Sequence, residues 1–195
     1  MKTKIYKLNG KDNKRIIEEA GQIIRSGGLV VFPTETVYGI GANALNKDAS
    51  KNIYQVKGRP SDNPLIVHIA DQNDLEKYVK NISGYAYKLI DKFWPGSLTL
   101  IFEKRDLIPY EITGGLDTVA IRIPNNKIAQ ELIREAQVPI CAPSANISGK
   151  PSSTLYEHVF DDLFGKVDMI IDGGKSLVGI ESTVLDLTGE IPVIL

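Results

Sequence analysis

Short apolar runs, each broken within a few residues by glycine or proline, recur along this chain and constrain its fold more than any other feature. "LVVF" (29–32) ends at Pro33, "SLTLIFE" follows "WPG", "PICAP" lies between two prolines, and "DMIID" runs into Gly173 and Gly174. Runs of this length suit buried strands, because helices need about 10 residues and bilayer spans about 20. Between them lie stretches with helical spacing. Ile16, Ile17, Ala20, Ile23 and Ile24 share one face of a helix that Asp12 caps and Gly27-Gly28 stops.

Continued along the chain, the reading gives a strand in "KIYKL", a helix over 48–56, and a strand in "LIVHIA". Helices over 71–79 and 83–93 come next, then strands in "SLTLIFE" and "TVAIRIP" separated by a Gly/Pro-rich excursion over 104–117. A helix over 127–136, the strand "PICAP", a helix over 155–164, and strands "DMIID", "TVLDL" and "PVIL" complete it. Strand pairs without an intervening helix also occur, so the expected class is α/β (α+β mixed), with a twisted mixed β-sheet flanked by helices. No repeat or long linker divides residues 1–195, which are read as a single domain.

Lys+Arg 23 against Asp+Glu 24 leaves a net charge of -1, which argues against a protein that coats nucleic acid. Any anion site must be local. One cysteine, Cys141, excludes an internal disulfide and a Cys/His zinc cluster, and the start "MKTKIYKLNGKDNKR" has no apolar signal core. A cytoplasmic protein without membrane contact is expected.

Polar, Gly/Pro-bearing segments fall at strand ends: "PTETVYGIG", "VKGRPSDNP", "SANISGKPS" and "GGKSLVGIES". Loops at strand ends can aim groups from several places into one crevice, so these four suggest one composite pocket. In "KGRPSDNP", Lys57 and Arg59 flank a glycine and can meet one polyanion, the arginine as a planar fork and the lysine as a point charge. The same spacing also suits a solvated turn. Ser144 and Asn146 alternate on an extended segment, fit to read a ribose, a base edge or phosphate, or to cap a turn. "GGKS" is not a P-loop, because that motif needs glycine where Met169 stands. His68 in "LIVHIA" reads as a core histidine with a ligand role open, and Glu181 with Ser182 forms no assignable triad.

Six ordered blocks, "FPTETVYGIGANA", "YQVKGRPSDNPLIVHI", "FWPGSLTLIF", "TVAIRIP", "APSANISGKPS" and "GIESTVLDL", together resemble the YrdC/TsaC family of threonylcarbamoyl-adenylate synthases. The Lys-x-Arg and Ser-x-Asn hallmark is met by Lys57, Arg59, Ser144 and Asn146. The resemblance implies a three-layer YrdC-like fold with a concave cationic cavity, and synthesis of threonylcarbamoyl-AMP and pyrophosphate from L-threonine, bicarbonate and ATP. It makes Lys57 and Arg59 catalytic, and gives ATP binding to them with Asn63, Thr118, Ser144, Asn146 and Ser152. Thr36, His68, Arg122 and Ser182 would hold threonine, with Arg122 on its carboxylate.

Mg²⁺ is expected with ATP, held by phosphates and water because the sequence offers no carboxylate cage. The implied partners are ATP, L-threonine, bicarbonate, and a downstream threonylcarbamoyl transferase complex of the TsaD/TsaB/TsaE type acting on tRNA. The alternative is a module of the same fold that binds tRNA or double-stranded RNA without making an adenylate. Many relatives continue into an Arg-Pro-Gly-like tail over the nucleotide, and longer members add a second domain. This sequence ends at Leu195 after "IPVIL", so no closing tail is assigned.

Overall fold

A computed structural model describes residues 2–8 and 13–195. The Asp12 cap expected from the sequence lies outside the described residues. In chain order the first elements are β1 (Lys4–Lys7), α1 (Asn13–Arg25), β2 (Val30–Phe32), β3 (Gly39–Asn43), α2 (Lys47–Lys57) and β4 (Val67–His68). A 3₁₀ turn (Gln72–Lys77) leads to α3 (Gly84–Phe93), β5 (Leu98–Glu103), α4 (Tyr110–Thr113), β6 (Thr118–Arg122) and α5 (Lys127–Ala136). The chain closes with β7 (Ile140–Cys141), α6 (Tyr156–Leu163), β8 (Met169–Asp172), β9 (Thr183–Asp186) and β10 (Val193–Ile194).

The strands form one mixed sheet in the order β1-β8-β2-β3-β7-β4-β6-β5-β9-β10. Period-two alternation gives it two apolar faces. Val31, Ile40, Cys141 and Ile170 pack with Ile53 of α2, Ile90 of α3 and Val159 of α6. Val30, Phe32, Ile140, Met169 and Ile171 pack with Ile17, Ala20 and Ile24 of α1 and Leu132 and Ala136 of α5. The result is three layers, helices on both faces of the sheet. Each fully buried aliphatic side chain contributes about 1.5–3 kcal/mol, so these two faces drive the assembly. Met169, in the place a P-loop glycine would need, is core.

Three elements differ from the sequence reading. "PTETVYGIG" read as loop, yet Gly39–Asn43 is strand β3, paired antiparallel with β2 and β7. A Cβ at Gly41 would lie 2.7 Å from the Phe32 ring and 2.8 Å from Ile140, so glycine is what lets these strands approach. The helix read over 71–79 is the 3₁₀ turn Gln72–Lys77, and the excursion over 104–117 contains the single turn α4. Both are too short for periodicity to resolve.

The end of α2 sets the chemistry that follows. Asn46 caps its start, its side chain accepting from the Asp48 and Ala49 N–H groups. Gly58 ends it in the left-handed region, φ 61°, with its N–H on the Gln55 and Tyr54 carbonyls. Lys57 is thereby the last helical residue and turns inward, whereas Arg59 begins an exposed loop.

Candidate functional site

One cleft gathers residues from all four polar loops. Thr34, Thr36 and Tyr38 line it from the segment entering β3, Arg59 and Pro64 from the loop after α2, and His68 from β4. Arg122 closes β6 into it, Pro143 and Ser144 follow β7, and Glu181 and Ser182 lead into β9. Sheet register brings these together: His68 pairs with Arg122 of β6 on one side and with Ile140 of β7 on the other.

The buried end is organised around Arg122, 4% exposed. Its Nη2 donates to Glu35 Oε1 at 2.6 Å, Nη1 to Thr36 Oγ1 at 3.0 Å, and Nε to the Gly96 carbonyl at 3.0 Å. Thr34 and Thr36 hydroxyls meet at 2.9 Å, and Ser182 Oγ lies 2.7 Å from Thr99 Oγ1. Two of the five guanidinium N–H groups are not used by these bonds, so the fork can still receive a carboxylate. Glu35 was missed by the sequence reading. Its only sign there was an acid inside the otherwise apolar or hydroxyl-bearing stretch "FPTETVYGIG", and only the fold reveals that it is 5% exposed, with Oε2 lacking a partner among the described residues.

His68 is 3% exposed and has Nδ1 without a hydrogen-bond partner among the described residues. Burial first, and the Arg122 charge second, push its imidazole down to about 3, so it is neutral at ordinary pH. Unfolding restores its usual value near 6.5, so the unfolded chain takes up a proton that the folded chain refuses between those values. The stability conferred by a neutral His68 is complete above about pH 6.5 and falls by up to about 1.4 kcal/mol per pH unit on acidification toward 3. Urea midpoints from pH 7 to 4 should therefore fall more steeply for the parent than for His68→Gln; identical slopes would exclude this account.

Arg59 stands at the exposed end, with Nη2 donating to Asn63 Oδ1 and to the Pro64 carbonyl at 3.1 Å. Asn63 thus braces Arg59 and is not itself among the lining residues. Lys57 departs from the expectation that it faces the phosphates. It is 1% exposed, and its Nζ donates to the carbonyls of Ser144 and of Asn146, the latter at 2.6 Å. Burial, then the neighbouring Arg59 charge, push its ammonium down to about 8.

Asn146 likewise turns inward, its Nδ2 donating to the Ile147 and Lys150 carbonyls. Thr118 opens β6 at the end away from Arg122 and does not line the cleft. Ser152 reaches the cleft only through Glu181, to whose carboxylate it donates. The reason is geometric: sequence spacing orders residues along the chain, but the turn at Gly58 and the packing of 144–150 decide which of them point inward. Cys141 is fully buried and pushed up to about 12 by burial, which removes it as a nucleophile.

Among the described residues no cluster of three or more His, Cys, Asp or Glu could hold a metal ion, and no helix is long and apolar enough to cross a membrane. Of the lining residues, Glu181 is the acidic one.

Residues 22–195 match the Sua5/YciO/YrdC family model, which carries the description "Telomere recombination". The chain is 56% identical over 179 residues to the threonylcarbamoyl-AMP synthase of Pyrococcus abyssi, covering 92% of this chain and 53% of that one. It is 52% identical over 200 residues to the threonylcarbamoyl-AMP synthase of Bacillus subtilis, covering 100% of this chain and 58% of that one. The crystal structure of P. abyssi Sua5 complexed with L-threonine superposes with a TM-score of 0.95 at 51% identity, covering 100% of this chain and 57% of that one. The chain thus spans about half the length of these relatives.

Proposed function

Because the chain belongs to the Sua5/YciO/YrdC family, we propose that its cleft joins L-threonine, bicarbonate and ATP into threonylcarbamoyl-AMP and pyrophosphate. The observation that carries this reading is the pair of arginines lining one cleft, Arg122 buried against Thr36 and Arg59 half-exposed beside Asn63 and Pro64. Two fixed cations suit two mutually repelling anions, an amino-acid carboxylate and a triphosphate. That a relative's crystal structure holds L-threonine supports threonine as a substrate, and the buried Arg122 fork suits its carboxylate.

In this reading the free N–H groups of the Arg122 fork take the threonine carboxylate. His68, neutral, and the Thr36 and Ser182 hydroxyls surround the rest of the amino acid. The amine forms a carbamate with carbon dioxide derived from bicarbonate, releasing a proton. A carbamate oxygen then attacks the α-phosphorus of ATP, the bond from that phosphorus to the β-bridging oxygen breaks, and pyrophosphate leaves. Arg59 opposes charge on the transferring phosphoryl group, and no covalent enzyme intermediate is needed.

Mg²⁺ would arrive on the triphosphate, with Glu181 as the one lining carboxylate able to join phosphate oxygens and water around it. When bound it neutralises phosphate charge. The adenylate would pass to a separate transferase complex that modifies tRNA.

Incubation with ATP, Mg²⁺, L-threonine and labelled bicarbonate tests the reading. Label is expected in an adenylate, in proportion to pyrophosphate and only with threonine present. Salt-sensitive RNA binding with no labelled adenylate would replace this reaction with the RNA-binding alternative.

A further inference from the structure

The segment 144–150 has neither helix nor extended strand, yet it presents Ser144 to the cleft. Backbone groups in such a segment need partners from elsewhere. Lys57 of α2 donates to the Ser144 and Asn146 carbonyls, and Ser153 Oγ donates to the Ala145 carbonyl at 3.0 Å. Asn146 Nδ2 takes the Ile147 and Lys150 carbonyls at 3.0 and 2.8 Å. The Ser148 N–H returns to the Lys57 carbonyl at 2.9 Å.

The segment is also held by Asp162 of α6, 6% exposed. Its Oδ2 accepts the Ile147 N–H at 3.0 Å, and Oδ1 accepts Lys150 Nζ at 2.5 Å. A buried cation thus grips the carbonyls of this segment and a buried anion grips its N–H and its lysine. We propose that Asp162 is a positioning residue which, together with Lys57, fixes 144–150 in the shape that receives the nucleotide. This rests on the assignment of the exposed end of the cleft to ATP.

The two bonds of Asp162 are not equivalent. The Lys150 side chain is 59% exposed, so that ion pair contributes little. The Ile147 N–H is an obligatory donor, and it meets a carboxylate that is 6% exposed in a part-buried bond. Asparagine keeps an acceptor for it, whereas alanine does not.

Calorimetric titration of the parent, Asp162→Ala and Asp162→Asn with a non-hydrolysable ATP analogue, and separately with L-threonine, reads this directly. Asp162→Ala is expected to weaken the analogue at least tenfold and threonine less than twofold, with faster amide exchange at Ile147 and Ser148. Asp162→Asn should recover most of the loss. Equal weakening of both ligands, or unchanged analogue binding, overturns the proposal. Should Asp162→Ala not fold, Asp162→Asn decides through a two- to fivefold loss confined to the analogue. A parent that binds the analogue but makes no adenylate removes the reaction proposed above and leaves this inference standing; an active parent matched by Asp162→Ala removes the inference alone.

Discussion

Glu35→Gln is expected to lower unfolding free energy by about 3–5 kcal/mol, because it leaves a buried guanidinium without its counter-charge. Arg122 and Glu35 side chains are 4% and 6% exposed and meet at 2.6 Å, so solvent compensates little for the lost carboxylate. The expectation concerns breaking the pair, not the net worth of having it. Desolvating both ions offsets most of their attraction, and replacing both by apolar residues is often neutral. The double variant Glu35→Leu/Arg122→Leu should therefore recover most of the stability that Glu35→Gln loses, while losing threonine binding. Denaturant midpoints for the three proteins check this, and a Glu35→Gln midpoint equal to that of the parent would refute it.

Lys57→Met and Arg59→Ala should both slow adenylate formation at least thirtyfold, about 2 kcal/mol of barrier, but by different routes. Lys57→Met keeps the apolar stem and removes the donor to the Ser144 and Asn146 carbonyls. Each buried carbonyl left unpaired costs about 1–3 kcal/mol, so this variant should also lose stability. Arg59 bonds Asn63 and Pro64 in a half-exposed loop, and its removal should leave the unfolding midpoint nearly unchanged. Adenylate rates measured alongside urea midpoints separate the two. Equal stabilities with equal losses of rate would mean that Lys57 reaches substrate and not the backbone.

Much of the fold was legible because its signals are local. Alternating apolar residues in "LVVF" and "DMIID" already divide into two faces, and the structure uses both. Helix α5 occupies the span read from spacing, Lys127–Ala136. Strand β3 was not legible, because Gly39 and Gly41 carry no side chain to alternate and signal a turn as readily as a close approach. The convergence of four loops on one cleft was also legible, since glycine and proline punctuate strand ends whatever the topology.

The roles within that cleft were less so. Lys57 and Arg59 read from sequence as twin cations two residues apart. The left-handed turn at Gly58 sends one into the protein and the other toward solvent. Asp162 lay in no motif, and Glu35, inside "FPTETVYGIGANA", was given no role there, because an acid is marked as buried only by what packs around it.

The sequence by itself determined most of the element order, the two-faced sheet, and which loops would meet, because periodicity and chain breaks are properties of neighbouring residues. Only the tertiary structure decided which charges are spent on the protein and which remain for a ligand. Lys57 holds carbonyls 87 and 89 residues away, and Arg122 holds a carboxylate 87 residues away. Such pairings depend on distances across space that spacing along the chain does not encode.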